Sequence, residues 1–386
     1  MPVLPVRADG ASTLRPAALA RFISFLLLAL VLTGCFGGGG SGKILYVVGA
    51  ATPSVALLKV SSSGALTASS TVASGASPDA ILIAPNRKFA YVADSAGTTV
   101  AGGVSQYTLN GSGTLTPVTQ TVNSTTITTT TAPAVKAGIN PVALAVDQNT
   151  QFLFVANQTS NNISAYTIDP PTGALTEVSG SPFSTAAGPS SLATAGSVLF
   201  VANQGAGQVS AYTFDSKTGA LTAAGGSPVA AGVSPRSLGV DPSGKFLYVA
   251  DASANTVLAF NIQTGGQLSA ISGAGVATGA MPANVLVHSS GKFLYVANQG
   301  AGTVSVFSIG SSGALTAISG SPYAVGTSPV YVATDSSGKF LFVANQGSND
   351  ISVFTINGSD GSLATASNSP FAVSAVTSPV ALASIN

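Results

Sequence analysis

Charged side chains are scarce in this sequence of 386 residues. Lysine, arginine, aspartate and glutamate make up only 6% of it, whereas soluble domains carry about 25%. The 13 basic and 12 acidic residues give a formal net charge of +1. A chain with so little charge presents no basic surface for nucleic acid or for an anionic membrane. We therefore predict no nucleic-acid partner.

Long apolar runs are also missing, although 46% of the residues are hydrophobic. The longest wholly apolar stretch, near the N-terminus, is shorter than a membrane-spanning helix of about 20 residues, which excludes a helical transporter. Tryptophan is absent, and 44 glycines and 21 prolines accompany few strong helix formers. This composition excludes a helical bundle or a coiled coil.

Cysteine occurs once, at Cys35, so the protein has no internal disulfide and depends on its core for stability. Arg15 and Arg21 precede the apolar run 22–32, and the sequence Leu-Thr-Gly-Cys ends at Cys35. This order is typical of a secretory signal, and it resembles the lipobox of bacterial lipoproteins. We predict a signal peptide over residues 1–35 with lipidation at Cys35. The alternatives are an ordinary cleaved signal and a short core segment.

The residues after the cysteine also indicate where in the cell the protein is located. Residues 36–42 are rich in glycine and serine, which is typical of a flexible linker. An acylated N-terminus would attach the protein to a membrane without spanning it. Phe36 stands where aspartate would otherwise follow the cysteine, and by resemblance to bacterial lipoproteins this favours the outer membrane of a Gram-negative host. We expect an extracytoplasmic, lipid-anchored protein of the cell envelope.

One motif recurs seven times and indicates the fold. Its most regular copies read Lys-Phe-Leu-Tyr-Val-Ala-Asn at 292–298 and Lys-Phe-Leu-Phe-Val-Ala-Asn at 339–345. The central aromatic residues are separated by 45, 63, 46, 48, 47 and 47 positions, and they are Tyr46, Tyr91, Phe154, Phe200, Tyr248, Tyr295 and Phe342. A period of about 40 to 50 residues is typical of propeller blades or of helical repeats.

Each period contains four short runs of β type with turn residues between them. In the last period these runs are 329–335, 339–344, 350–356 and 362–366, and they are rich in β-branched and aromatic residues. Four strands in each repeat predict a propeller blade, because a solenoid turn is shorter and other repetitive β folds lack a four-strand unit. The predicted fold class is all-β, a seven-bladed β-propeller of four-stranded antiparallel blades over residues 43–386.

The two ends of the predicted propeller indicate how its ring closes. A proline opens the strand before each of six motifs, and these are Pro78, Pro141, Pro189, Pro235, Pro282 and Pro329. The first motif, at 43–49, has no such strand before it, and the chain ends in a matching strand at 378–386 with no blade after it. We predict that this C-terminal strand pairs with the N-terminal one and closes the ring, which leaves only short, protected edges.

The repeats resemble a known family. Segments such as SPRSLGVDPSGKFLYVAD at 234–251, together with the Thr-Gly-Ala-Leu-Thr turns, are similar to those of the seven-bladed lactonase family and the related YVTN repeat proteins. That family includes 6-phosphogluconolactonase-type and muconate-cycloisomerase-like propellers. The resemblance implies a pocket at one mouth of the channel, lined by ionisable residues such as histidine, glutamate and arginine. Beyond the signal peptide such residues are few here: His288, Glu177, Arg87 and Arg236.

Polar residues at one face of the ring are candidate ligand contacts. Propeller topology brings the loops between second and third strands, and the connections between blades, to the same face. Asp79 and Arg236 follow strand-opening prolines, and the other candidates end second strands, four of them before a glutamine: Asp94, Asn157, Asn203, Asp251, Asn298 and Asn345. These side chains could bind a polyol, a peptide or a cation, or could only end strands and shape turns. No metal site and no cofactor are predicted.

Three further features receive structural interpretations. His288 aligns with an aspartate of other blades at the turn between first and second strands, where a turn-forming side chain is expected. Glu177 falls on the outermost strand of its blade and has no acidic partner with which to divide acid and base roles. A threonine-rich insertion at 120–131 is expected at the same mouth, as a lid, an adhesive loop or a tolerated surface insertion.

Two functions remain open from the sequence. The preferred one is a monomeric binding or interaction scaffold at the cell envelope, with a glycan, a peptide or an envelope protein as partner. The alternative, which the family resemblance implies, is a hydrolase of lactones or related sugar-acid esters. Such an enzyme needs a base, a water molecule and a group that stabilises the oxyanion. Only Asp79, Asp94, Asp251 and Arg236 suit these roles, and no catalytic residue is assigned.

Overall fold

The structure is a computed structural model that describes residues 43–97, 99–118, 121–122, 125–126, 135–271 and 275–385. The predicted signal peptide, the lipidation site and the linker lie outside these residues, and so does most of the threonine-rich insertion. Its described part is a short antiparallel pair, Thr121–Val122 with Thr125–Thr126. No helix in the described ranges is long and apolar enough to cross a membrane.

Seven antiparallel sheets form a ring, and each sheet is one blade. Within a blade the first strand is innermost and the others follow outward. The strands of the blades, innermost first, are as follows: blade 1, Pro379–Ile385, Lys43–Gly49, Thr52–Val60 and Leu66–Ala73; blade 2, Pro78–Ile83, Phe89–Asp94, Ala101–Leu109 and Leu115–Pro117; blade 3, Pro141–Val146, Phe152–Asn157, Asn162–Ile168 and Leu175–Glu177; blade 4, Pro189–Ala195, Val198–Asn203, Gln208–Phe214 and Leu221–Ala223; blade 5, Pro235–Val240, Phe246–Asp251, Thr256–Ile262 and Leu268–Ala270; blade 6, Pro282–Val287, Phe293–Asn298, Thr303–Ile309 and Leu315–Ala317; and blade 7, Pro329–Thr334, Phe340–Asn345, Asp350–Ile356 and Leu363–Thr365.

Six blades have a fifth, short strand that the sequence analysis did not predict. It pairs with the third strand of its own blade before the chain enters the next blade, and its copies are Val135–Ile139, Phe183–Ser184, Val229–Ala230, Val276–Ala277, Tyr323–Ala324 and Phe371–Ala372. Two short 3-10 turns, Gln204–Ala206 and Thr264–Gly266, complete the described elements. The additional strands carry the chain back toward the end of the ring where each innermost strand begins.

The predicted ring closure is confirmed. The C-terminal strand Pro379–Ile385 pairs antiparallel with Lys43–Gly49, with Ile385 opposite Ile44 and Ala381 opposite Val48. It is therefore the innermost strand of blade 1, and the predicted all-β seven-bladed propeller is confirmed with it.

The core lies between the blades and explains the recurring aromatic motif. A second strand such as Phe152–Asn157 is buried along its whole length, because both of its faces pack against other strands. In four blades the central tyrosine donates a hydrogen bond of 2.5 to 3.3 Å to a glycine carbonyl of the next blade: Tyr46 to Gly113, Tyr91 to Gly173, Tyr248 to Gly313 and Tyr295 to Gly361. The glycine of the Gly-Ala-Leu-Thr turn is thus one half of a contact between blades.

Glycine is required at that turn for two reasons. Gly173 has a φ of +75°, and a Cβ atom placed there would lie 2.4 Å from the ring of Phe89. A residue with a side chain would therefore be both strained and in collision with the preceding blade. The two recurring motifs of the sequence, the aromatic strand and the glycine turn, pack against each other across every such interface.

Candidate functional site

The seven innermost strands enclose a cavity of about 790 Å³. This volume lies in the range of small-molecule sites, about 300 to 1,000 Å³. Among the described residues that line the cavity, only Asp79 and Arg236 have charged side chains. Each of them directly follows the proline that opens an innermost strand, in blade 2 and in blade 5. The structure therefore brings these two predicted candidates to one cavity, on strands three blades apart.

Asp79 is half-buried at the mouth of the cavity in blade 2. Burial raises the pKa of its carboxyl group to about 6, and the nearby Ser95 side chain acts in the opposite direction. The group therefore changes its charge close to neutral pH, as a general base must. Its neighbour Pro78 lies opposite Asp94 in the antiparallel pair of strands, so the two acidic residues are close in the blade.

Asp94 ends the second strand of blade 2 and is only 3% exposed. Its Oδ2 atom accepts hydrogen bonds from the Ser105 amide (3.1 Å) and from the Ser105 hydroxyl (2.5 Å), whereas its Oδ1 atom has no partner among the described residues. Burial raises the pKa of Asp94 to about 7; the hydrogen bonds from Ser105 oppose this, and the charge of Asp79 adds to it.

Arg236 lies on the other side of the cavity. Its Nη1 atom donates a hydrogen bond of 2.6 Å to Oε1 of Gln299, and within the described residues it makes no ion pair. Burial lowers the pKa of the guanidinium below its ordinary value, yet arginine stays protonated in proteins. A guanidinium held by a neutral amide retains donors for an anionic ligand.

The other six candidates do not line the cavity. The four asparagines are completely buried, and each donates from Nδ2 to a serine hydroxyl on the third strand of its own blade: Asn157 to Ser164, Asn203 to Ser210, Asn298 to Ser305 and Asn345 to Ser352. Asp251 accepts hydrogen bonds from four backbone amides instead. These side chains, like Asp94, hold the blade together behind the cavity wall. The mouth candidates that reach the cavity are therefore Asp79 and Arg236.

His288 and Glu177 lie where the sequence analysis placed them. His288 is buried at the turn between the first and second strands of blade 6, where Nδ1 accepts from the Ser290 amide (3.1 Å) and Nε2 is 2.9 Å from the Gly338 carbonyl oxygen. This turn is at the opposite end of its innermost strand from Pro282. Glu177 is exposed at the end of a fourth strand. Neither residue belongs to the cavity mouth.

Other polar lining residues include glutamines that follow second strands, which the sequence analysis placed beside the strand-end candidates, and a tyrosine that no pattern indicated. Gln158 lines the cavity, and its Oε1 atom accepts from Nδ2 of Asn140 (2.9 Å). Asn140 in turn accepts from the hydroxyl of Ser95 (2.9 Å). The Nε2 atom of Gln158 is thereby left as a donor on the same wall as Asp79. Tyr331 also lines the cavity, at a position that is alanine, serine or asparagine in the other blades, so no repeating signal indicated it.

The geometry is that of a closed seven-bladed propeller with a polar central cavity and with one carboxyl and one guanidinium group at its mouth. The model of the family described as lactonase, 7-bladed beta-propeller, matches residues 121–188 and 184–380. Because these matches cover more than half of the chain, the protein belongs to this lactonase family.

Solved structures show the same fold. A proposed 6-phosphogluconolactonase from Bacteroides fragilis is 20% identical with a TM-score of 0.73, over 89% of this chain and 98% of that one. A periplasmic gluconolactonase of Pseudomonas aeruginosa is 21% identical with a TM-score of 0.73, over 89% and 99%. A second proposed 6-phosphogluconolactonase, from Bacteroides uniformis, is 18% identical with a TM-score of 0.74, over 89% and 99%. At these identities the likeness concerns the fold. No curated protein sequence is significantly similar to this chain.

Proposed function

We propose that the protein hydrolyses the lactone of a sugar acid in its central cavity. The observation that supports this is the pair of Asp79 and Arg236, the only charged side chains of the described lining, neither of which forms an ion pair with another described residue. Membership of the lactonase family favours this activity over the binding scaffold that the sequence alone made preferable. The scarcity of histidine and glutamate does not argue against it, because an aspartate and an arginine occupy the mouth.

The chemistry needs only a water molecule in addition to these groups. The carboxylate of Asp79 accepts a proton from water as the water oxygen forms a bond to the lactone carbonyl carbon. The bond between that carbon and the ring oxygen then breaks, and the ring oxygen takes the proton from Asp79 to become a hydroxyl group, which restores the carboxylate. The product is the open-chain hydroxy acid. Arg236, on the other side of the cavity, binds an anionic or hydroxyl group of the substrate and orients it.

Hydrolysis of glucono-δ-lactone, measured as acid release at constant pH and corrected for the spontaneous reaction, tests this proposal. We expect Asp79→Asn to lower kcat/KM by about 100-fold, the lower end of general-base effects. The wild-type rate should rise with pH through about 6, where Asp79 ionises, and Arg236→Gln should mainly raise KM. Glu177→Gln, which removes an exposed carboxylate from an outer strand, is the matched control and should leave the rate unchanged.

Two results would contradict the proposed hydrolysis. If Asp79→Asn hydrolyses the lactone as fast as the wild type, Asp79 is not the base and this site does not perform the reaction. If the wild type shows no turnover but binds a glycan or a peptide in the cavity, the binding scaffold is the correct function.

We also propose that the propeller is attached to the cell envelope by a lipid on Cys35, and that it acts there as a monomer. The support is the sequence order of arginines, apolar run and lipobox that precedes the glycine-rich linker. Cys35→Ser should move the protein from the membrane fraction to the soluble fraction of the envelope, as measured by fractionation and immunoblotting. Thr33→Ser, which keeps the lipobox cysteine, should remain with the membrane. Membrane association of Cys35→Ser equal to the wild type would exclude the anchor.

A further inference from the structure

In three blades, one backbone amide of the innermost strand donates a hydrogen bond to a side chain of the preceding blade. The amide lies three residues after the strand-opening proline, and the acceptor lies two residues after the proline of the blade before. The three hydrogen bonds are each 3.1 Å long: Leu238 to Ser191, Val285 to Ser237 and Val332 to Asn284. All six residues line the cavity, so in blades 5, 6 and 7 these amides are capped.

The corresponding amides of the other four blades have no such cap. In blade 1 this amide is that of Leu382, and the residue of the preceding blade at the capping position is Tyr331. Blades 2, 3 and 4 have their uncapped amides on neighbouring strands. They belong to Ile81, Leu144 and Leu192, which also line the cavity. The residues that would cap them are alanines without a polar side-chain atom: Ala381, Ala80 and Ala143. No side-chain acceptor for these three amides is present among the described residues.

The uncapped amides point in the same direction as the capped ones. Ile81 lies opposite Val92 in its strand pair, just as Leu238 lies opposite Val249, and the register shift after the proline is the same in both blades. Since the amide of Leu238 turns away from its own sheet to reach Ser191, the amide of Ile81 turns toward the cavity as well. Three neighbouring blades therefore present an arc of free backbone donors.

Each free N–H group in the cavity needs an acceptor oxygen, and the carbonyl of the same residue, which faces the same side in an antiparallel strand, can accept from a hydroxyl group. The arc is on the same side as Asp79, which precedes Ile81 by two residues on one strand, a rise of about 7 Å. The capped amides, in contrast, belong to the blades that contain Arg236 and its partner Gln299. One half of the cavity therefore presents backbone N–H groups beside the carboxyl group of Asp79, and the other half presents the guanidinium of Arg236.

We propose that the amides of Ile81, Leu144 and Leu192 form the oxygen-binding arc of the cavity, with the amide of Ile81 at the reacting carbonyl oxygen. This inference rests on the proposed lactone hydrolysis and names the group that stabilises its oxyanion. When the water oxygen bonds to the carbonyl carbon, the electron pair of the C=O bond moves to the oxygen beside Ile81, and it returns as the ring C–O bond breaks. The two other amides hold oxygens of the sugar acid.

The alanines offer a direct test, because serine at the equivalent position already caps an amide in two blades. Ala381→Ser should cap Ile81, and Ala143→Ser should cap Leu192. We expect Ala381→Ser to lower kcat for glucono-δ-lactone by about 10-fold or more, because a pre-occupied donor no longer serves the oxyanion. Ala143→Ser should weaken the binding of gluconate, measured by calorimetry at pH 5.5, by several-fold. Ala193→Ser, on the innermost strand of blade 4, is the matched control and should change neither quantity.

The readouts separate this inference from the proposed function. Gluconate binding that weakens in the serine variants of a protein without lactone turnover supports the arc and rejects the hydrolase. Turnover that is lost in Asp79→Asn but unchanged in folded Ala381→Ser and Ala143→Ser supports the hydrolase and overturns the arc. Ala381 is buried, so its variant is used only if its thermal unfolding matches the wild type. Ala80→Ser, at a half-buried position, tests the amide of Leu144 in the same way.

Discussion

Removal of residues 379–386 is expected to abolish cooperative folding of the propeller, although the deletion takes away only one strand. The innermost strand of blade 1 would be lost, and the backbone groups of Lys43–Gly49 that pair with it would form an open edge. Buried side chains such as Leu382, which packs in the core between blades 7 and 1, would be lost as well. The measurement is the yield of soluble protein and its thermal unfolding by circular dichroism.

A circular permutant provides the control for that deletion. Ser384 lies opposite Leu45, so a variant that carries residues 376–384 in front of Lys43, joined by the Asp-Pro-Ser-Gly turn of 241–244, restores blade 1 without closing the ring from the C-terminus. It should fold with an unfolding temperature within a few degrees of the wild type. If instead the simple deletion unfolds as cooperatively as the wild type, the C-terminal strand does not hold the ring together.

The fold was predictable because each blade repeats the same physical solution. A second strand buried on both faces needs apolar residues at every position before its last one, and for this reason the aromatic motif recurs in all seven blades. Ring closure was predictable because the motif at 43–49 has no strand before it, whereas the matching strand at 378–386 has no blade after it. The fifth strands, such as Phe183–Ser184, are too short for an alternating hydrophobic pattern, and the Ser-Pro pair that precedes four of them was the signal available.

The site was predictable only in part. Asp79 and Arg236 could be placed at the mouth because they follow strand-opening prolines, but an asparagine at a strand end has the same appearance whether it faces a ligand or a serine. Asn157 faces Ser164, seven residues later, and the recurrence of this spacing in three other blades was the signal available. Free backbone amides have no letter in the sequence, so the arc from Ile81 to Leu192 became visible only in the ring.

Asp94→Asn is expected to stabilise the protein at pH 8 by about 2 to 4 kcal/mol. Burial raises the pKa of Asp94 from 3.8 to about 7, which corresponds to a penalty of about 4 kcal/mol for the ionised group. Between pH 4 and pH 7 the folded protein retains a proton that the unfolded chain releases. The free energy of unfolding of the wild type therefore falls as the pH rises across that interval. Asparagine carries no charge, and its Nδ2 atom can donate to Ser105 as Asn157 donates to Ser164.

The measurement is urea unfolding of both proteins at pH 5 and at pH 8, with Asp251→Asn as the matched control. Asp251 occupies the same strand-end position in blade 5, but both of its carboxylate oxygens accept backbone hydrogen bonds. Asparagine there would turn an amide group toward an N–H donor, so Asp251→Asn should destabilise the protein at both pH values.

The pKa of Asp79 is also raised, to about 6. The free energy of unfolding of Asp94→Asn should therefore still depend on pH, but less than that of the wild type. Equal stability of Asp94→Asn and wild type at pH 8 would show that Asp94 bears its charge in blade 2 without cost. Four other blades have asparagine at this position, and in blade 2 the charge of Asp79 at the cavity mouth adds to the raised pKa of Asp94.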